Sequence, residues 1–282
     1  MFISEIVHTE DSFLLKLYYK FNFATEPHLL PQRLAEAHIN GDIHFHDVDR
    51  FMRTVPFENI DVQNGIPISV EVNDLYHKVV EHQRGGFCYE LNTLFKTYLI
   101  EKGFEVFNVS ATIHTPGGGR SQPDSHMSTI VVIDGTHYIA DVGFGDLPLQ
   151  AIPLTEDAEH NVVQDVTGTF RAVFIDEAHK QFEVQKWEND AWDTKYESDI
   201  SPRTIDMFED NIKYNQTNPN SVFVKRLVIT MPTEKGRATM SQNHLTLTEK
   251  GEKRKIDVTS DNYRQLLKTY FNLDVKIQRL ET

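Results

Sequence analysis

Arg84-Gly85-Gly86-Phe87-Cys88-Tyr89-Glu90-Leu91-Asn92 sets the only cysteine of the 282-residue chain just after two glycines and at the start of a helical pattern. From Cys88 onward Leu91, Leu94, Phe95, Tyr98 and Leu99 recur at spacings of three and four, the period of a buried helical face. Gly103 is the expected stop. A thiol at a helix N-terminus meets the partial positive charge of unpaired N–H groups, which favours the reactive thiolate. Gly85 and Gly86 allow a sharp backbone turn and room for a substrate, and N–H groups near Cys88 form a candidate oxyanion site. The competing reading is a small buried hydrophobe, the ordinary state of a lone cysteine.

A cysteine nucleophile needs a base and a group that orients the base, and these come from separate elements of a fold. Downstream, Ser125-His126-Met127-Ser128-Thr129-Ile130-Val131-Val132-Ile133 puts a histidine at the mouth of an apolar run that reads as a buried strand. After a turn at Asp134-Gly135, His137-Tyr138-Ile139-Ala140-Asp141-Val142 reads as its hairpin partner, with Asp141 near the strand end. Taken alone, His126 and Asp141 are equally ordinary solvated residues. Together with Cys88 they are the candidate triad.

At this point the sequence resembles the arylamine N-acetyltransferases. The resemblance lies in the Arg84 to Asn92 stretch, in Val55-Pro56-Phe57-Glu58-Asn59-Ile60-Asp61, in His126, and in Asp141-Val142-Gly143-Phe144-Gly145. The spacings from Cys88 to His126 and from His126 to Asp141 are similar to those of the family. The match covers residues 55–145. A weaker echo, Asn215-Gln216-Thr217-Asn218-Pro219-Asn220-Ser221-Val222-Phe223, has Gln216 where a serine is expected, so no role is carried onto it.

The resemblance implies double displacement from acetyl-coenzyme A through Cys88 to a small aromatic amine, hydrazine or hydroxylamine, with His126 as base and Asp141 orienting it. It implies that Phe57 and Phe144 line the acceptor pocket, that Glu58 pairs with Arg84, and that Gly143 and Gly145 belong to a loop near the acetyl donor. Two rival readings stand beside it. A thiol hydrolase or protease would use the same three residues with water as acceptor, and a binding module would leave Cys88 inert.

A net charge of −14 argues against a nucleic-acid partner, which needs a basic face. It also poses a question, because coenzyme A is anionic and its binding requires a local cationic patch. A single cysteine excludes an intramolecular disulfide. Met1-Phe2-Ile3-Ser4-Glu5 lacks a basic start before an apolar core, and no run is long enough to span a bilayer, so a cytoplasmic protein with no membrane association is expected. The oligomeric state is left open.

The expected fold is α+β, with three domains: a helical domain over 1–103 carrying the nucleophile, an antiparallel β-barrel over 104–204 carrying His126 and Asp141, and an α/β lid over 205–282, the whole with a cysteine-protease-like core. In the first domain, Asp11 is a candidate cap for a helix through Leu14, Leu15 and Leu17. A second helix is expected over 29–39, with Pro27 and Pro31 near its start and Asn40-Gly41 closing it. His44, His46, Asp47 and Asp49 raise the question of a metal. The alternation around Ile43 and Phe45 reads more simply as a half-exposed strand or turn, and no metal is expected.

Strands are expected over 104–115, 126–133, 137–142, 168–175, 181–187 and 192–196. Pro116-Gly117-Gly118-Gly119 reads as a hairpin end, since no Gly-Lys-Ser/Thr follows to make it a phosphate loop. In the third domain, 221–231 and 238–248 read as strands and Lys250-Gly251-Glu252 as a turn. Ser260 or Asp261 is the expected cap of a helix bearing Tyr263, Leu266, Leu267, Tyr270 and Phe271.

Overall fold

The structure, a computed structural model, describes residues 43–176, 178 and 180–281. The helices expected after Asp11 and over 29–39 lie outside these residues. The first described element corrects the strand or turn expected around Ile43: Ile43–Thr54 is one helix, α1. The alternation spans only a few residues there, whereas Val48, Phe51, Met52 and Val55 bury at helical spacing, and the longer period prevails. Asp49 pairs with Arg53 at 2.7 Å and Asp47 with Lys102 at 2.6 Å, so the acidic members of the metal candidate are engaged as ion pairs.

Strand β1 (Phe57–Glu58) follows α1, and Cys88–Glu101 then forms helix α2 as its spacing predicts. Leu91, Leu94, Phe95, Tyr98 and Leu99 are all buried, and Gly103 takes φ +89° just beyond the helix end. Phe51 meets Phe95 edge-on at 5.0 Å, which ties α1 to α2.

The expected strands follow, joined by three short ones over 119–120, 152–154 and 162–165 that were not expected. They are β2 (Glu105–Thr115), β3 (Gly119–Arg120), β4 (His126–Ile133), β5 (Thr136–Ile139), β6 (Ile152–Leu154), β7 (Val162–Asp165), β8 (Gly168–Asp176), β9 (Gln181–Glu188) and β10 (Ala191–Asp199). They pair antiparallel in the order β6-β5-β4-β2-β10-β9-β8-β7, and β3 pairs with β2 across the expected Pro116 to Gly119 hairpin. Strand β6 packs back on β8, so the sheet nearly closes into a barrel around Val109, Ile130, Phe170, Phe182 and Tyr196. The outcome is a mixed α/β fold with a nearly closed antiparallel barrel. Strand β5 ends at Ile139, which leaves Asp141 just past it, and β10 runs beyond the expected 192–196 through a bulge between Thr194 and Tyr196.

The single strand expected over 221–231 is corrected to a short helix, α4 (Val222–Lys225), and a strand, β11 (Ile229–Thr233); helix α3 (Glu209–Thr217) precedes them. The Ser221 hydroxyl accepts the Phe223 N–H at 3.2 Å, so a helix cap lies inside the apolar run. The run over 238–248 is likewise two strands, β12 (Gly236–Met240) and β13 (His244–Glu249). They break where the Ser241 hydroxyl accepts the N–H groups of Asn243 and His244. Lys250 and Gly251 make the expected turn into β14 (Glu252–Asp257).

Helix α5 (Tyr263–Phe271) starts after Asn262 rather than Ser260 or Asp261. The Asn262 side chain ties Thr259 to Asp257 instead of capping the helix. Tyr263, Leu267 and Phe271 of α5 share a core with Ile229, Met240 and Leu245. The sheet order is β1-β11-β12-β13-β14, so the Phe57 strand is stitched onto the C-terminal sheet through Phe57 opposite Thr230. No helix among the described residues is long and apolar enough to cross a membrane.

Candidate active site

A buried ion network holds the loop that leads into α2. Glu58 Oε1 accepts Arg84 Nε at 3.0 Å, Arg84 Nη2 at 2.8 Å and the Gly85 N–H at 3.2 Å, which is the expected Glu58 pairing. Arg84 also reaches Asp61, and Lys78 bridges Asp61 at 2.6 Å and Glu90 at 2.7 Å. Burial opposes the charges of Lys78 and Arg84, but the facing carboxylates outweigh it and hold both cations well above their usual range. Glu90 is the carboxyl left with too little compensation. Burial pushes it up to about 7 despite Lys78, while its Oε2 accepts the Phe87 N–H at the start of α2.

The glycines before Cys88 serve close packing rather than a left-handed turn. A Cβ on Gly85 would lie 1.9 Å from the Pro56 carbonyl oxygen, and one on Gly86 would meet the Glu90 side chain at 2.7 Å. Gln83, at φ +53°, carries the left-handed conformation instead.

Cys88 is the first residue of α2 and is 3% exposed. His126 opens β4, and its Nε2 lies 2.6 Å from Asp141 Oδ2. Nδ1 is therefore the ring nitrogen left to the Cys88 thiol, with which His126 interacts. Burial works against the imidazolium, but the Asp141 carboxylate and Cys88 more than offset it and push His126 up to about 10. Asp141 is held below the usual carboxylate range: burial again opposes, and His126 with two further donors prevails. Those donors are Asn92 Nδ2 and the Gly143 N–H, each 2.9 Å from Asp141 Oδ1.

The structure thus brings Cys88, His126 and Asp141 together, and it adds residues the sequence reading gave no role. Asn92, one turn after Cys88 on α2, donates to Asp141 and to the Met127 carbonyl at 2.6 Å, and accepts from Thr129 Oγ1 and the Val142 N–H. One amide therefore joins the three elements that carry the three residues. The i, i+4 spacing from Cys88 was the available signal. Tyr196 of β10 lies tilted at 49° to the His126 ring, 5.3 Å between centroids, and bonds Ser128 at 3.0 Å, and nothing in its local sequence marks it.

Phe144 meets the His126 ring edge-on at 5.4 Å, and Phe57 sits on the strand beside Gly86. Both line a cleft of about 1470 Å³ between the barrel and the C-terminal sheet, together with Gly145. Cys88, His126 and Asp141 lie behind them, none more than 3% exposed. Gly143 does not line the cleft. It packs on α2, where a Cβ would lie 2.7 Å from Cys88 Cα. The loop is gripped from the C-terminal sheet by Arg237, which donates to the Gly145 and Leu147 carbonyls and lies 3.3 Å from Asp146. The one grouping of metal-type side chains among the described residues, His114, Glu183 and Glu197, lies on β2, β9 and β10 and is already paired with Arg120.

The sequence model of the N-acetyltransferase family matches residues 46–280. The chain belongs to the arylamine N-acetyltransferase family, a family of transferases. The uncharacterized acetyltransferase YvcN of Bacillus subtilis is 27% identical over 241 residues, 81% of this chain and 91% of that protein. The arylamine N-acetyltransferase of M. tuberculosis is similar in structure with a TM-score of 0.76 at 27% identity, over 94% of both chains. An arylamine N-acetyltransferase of Bacillus cereus is similar with a TM-score of 0.74 at 27% identity, over 83% of this chain and 92% of that one. The B. cereus protein is described with a Cys-His-Glu triad. In this member of the family the carboxylate bonded to the histidine is an aspartate, Asp141.

Proposed function

We propose that the chain moves an acetyl group from acetyl-coenzyme A, through a thioester on Cys88, to an arylamine, arylhydrazine or arylhydroxylamine. The observation that carries this reading is the buried His126–Asp141 pair at 2.6 Å beside the cysteine that opens α2. In the first half-reaction the Cys88 thiolate attacks the thioester carbonyl, N–H groups of the first turn of α2 receive the oxyanion, and the coenzyme A thiolate leaves with the proton held by His126. In the second half-reaction the amine attacks the acetylated cysteine and His126 takes its proton, restoring the thiolate–imidazolium pair. Asp141 fixes the imidazole so that Nδ1 serves the thiol.

Phe57 and Phe144 provide flat apolar walls for an aromatic acceptor, and the loop that starts at Gly143, packed on α2, turns Gly145 toward the donor. The near-complete burial of the three residues favours transfer over hydrolysis, because water is kept from the acyl intermediate. We assign the helical, barrel and lid domains to 1–103, 104–204 and 205–282 in a cysteine-protease-like arrangement that works in the cytoplasm, where a lone thiol stays reduced. Initial rates measured against both substrates test the reading. Double displacement gives parallel double-reciprocal lines, and intersecting lines would require donor and acceptor to be bound together.

A further inference from the structure

The three N–H groups that precede Cys88 are each held. Gly85 donates to Glu58 Oε1 at 3.2 Å, Gly86 to the Pro56 carbonyl at 3.4 Å, and Phe87 to Glu90 Oε2 at 3.1 Å. Of these acceptors only Glu90 rides on α2, as its third residue, so it alone ties the loop to the helix that carries the nucleophile. A glutamate there, bonded back to the N–H before the helix, is one half of a capping box. Phe87 has no side-chain acceptor for the other half, so the turn depends on the carboxylate. Gly86 makes the room, since a Cβ on it would lie 2.7 Å from Glu90 Oε2.

The second oxygen, Oε1, accepts Lys78 Nζ at 2.7 Å. Both oxygens therefore face obligate donors, an N–H and an ammonium, and a neutral carboxyl must give one of them up. Lys78 comes from Tyr76–Glu81, a π-helix, a rare form met often at functional sites. Asp61 holds Lys78 at 2.6 Å and Arg84 at 2.8 Å, and Glu58 completes the charges around the carboxyl. Lys78 and Glu90 also line a second cavity, of about 380 Å³, that shares no lining residue with the cleft of Phe57 and Phe144. Asp74, His77 and His82 are its other ionisable groups besides Asp61 and Arg84, and His77 pairs with Glu81 at 2.6 Å. Protons reach Glu90 from that side without entering the cleft.

We propose that Glu90 is a positioning residue for the nucleophile: ionised and clamped by Lys78, its carboxylate fixes the Phe87 N–H and so sets the turn that presents Cys88 to His126. The effect on transfer rests on the acetyl-transfer reading, whereas the effect on thiol reactivity does not. Burial pushes Glu90 up to about 7, with Glu58 adding to this and Lys78 opposing it, so the clamp forms as pH climbs through 7. Because Glu90 is raised from 4.5, its contribution to stability is present at low pH and is lost over the same rise. The ionised clamp weakens the fold while it orders the turn, which separates positioning from a purely structural role.

The test follows alkylation of Cys88 by iodoacetamide, and its acetylation by acetyl-coenzyme A, against pH in the wild type, Glu90→Gln, Lys78→Gln and the double variant. The glutamine amide turns an N–H toward Lys78 and stands in for the protonated acid. Well above pH 7 Glu90→Gln reacts about tenfold or more slowly than the wild type in both assays, and well below pH 7 the two proteins converge. Lys78→Gln removes the cation that lowers Glu90 and moves the inflection upward. In the double variant the two amides pair and the Phe87 N–H regains its acceptor, so reactivity returns to within about threefold of the wild type with no inflection near 7. This rescue carries the test even where Glu90→Gln alone fails to fold. A His77→Gln, His82→Gln control keeps the wild-type inflection, and its loss there would assign the pH dependence to the histidines and overturn the clamp. Wild-type rates in Glu90→Gln, or the same slowing at every pH without rescue, would also overturn it. Alkylation as expected with Cys88 left unacetylated at every pH would sink the acetyl-transfer reading and leave the clamp standing.

Discussion

Replacing Asp141 by asparagine changes one atom of the site and reverses its hydrogen-bond logic. Asp141 Oδ1 receives two donors, Asn92 Nδ2 and the Gly143 N–H, so the amide oxygen of the new side chain takes that position. Its NH2 then faces His126 Nε2, which must become an acceptor, and the ring proton moves to Nδ1, the nitrogen that serves Cys88. The imidazole is left in the wrong tautomer, and it has lost the carboxylate 2.6 Å away. At an effective dielectric near 20, a unit charge at that range is worth about 6 kcal/mol, or between four and five pH units on His126. With burial opposed by Cys88 alone, His126 drops from about 10 into or below the neutral range.

Ring-labelled histidine NMR, with His126 assigned by difference against His126→Ala, reads this directly, and acetylation of Cys88 slows by roughly 10³–10⁴ as expected of a wrong-tautomer base. Stability follows the same proton. A histidine raised from 6.5 to about 10 contributes its full share below pH 6.5 and loses it as pH climbs through 10, on the order of 5 kcal/mol at most. The wild type therefore loses stability over that window and the Asp141→Asn variant does not. Titration of His126 at the same pH in both proteins would refute the electrostatic argument.

Other substitutions separate chemistry from support. Cys88→Ser abolishes transfer while circular dichroism and melting stay close to wild type; residual turnover above a few per cent contradicts the nucleophile. Asn92→Ala takes one of two donors from the Asp141 carboxylate oxygen, a donor from the Met127 carbonyl and the side-chain acceptor from the Val142 N–H, so a destabilisation of about 3–5 kcal/mol in chemical denaturation is expected, with a matching fall in thiol alkylation rate. Unchanged alkylation would make Asn92 a purely structural residue. Gly143→Ala places a methyl 2.7 Å from Cys88 Cα, and overpacking of about 1–3 kcal/mol should appear as a lower melting temperature together with a slower first half-reaction in single-turnover kinetics.

Much of this site was legible in the chain because its chemistry is local. Helix α2 declares itself through five apolar residues at helical spacing, and β4 and β5 through a hairpin whose turn is Asp134-Gly135. The same reasoning failed where a short pattern competed with a longer one. Three alternating residues at Ile43 did not reveal helix α1, and an apolar run after Ser221 concealed a cap and a helical turn. Tyr196, Lys186 and Arg237 were beyond reach for a different reason. They meet the site only because barrel closure and the pairing of β1 with β11 bring distant segments together, and no property of their neighbours in sequence encodes that.

The central claim is a covalent acyl-enzyme on Cys88. Incubation with acetyl-coenzyme A without amine, followed by intact and peptide mass spectrometry, tests it most directly. A single acetyl group on the peptide containing Cys88, discharged on addition of an arylamine with formation of the N-acetyl product, is the predicted result. An unmodified Cys88 in protein that turns over donor and amine, or an acetyl group fixed elsewhere in the chain, would contradict the account.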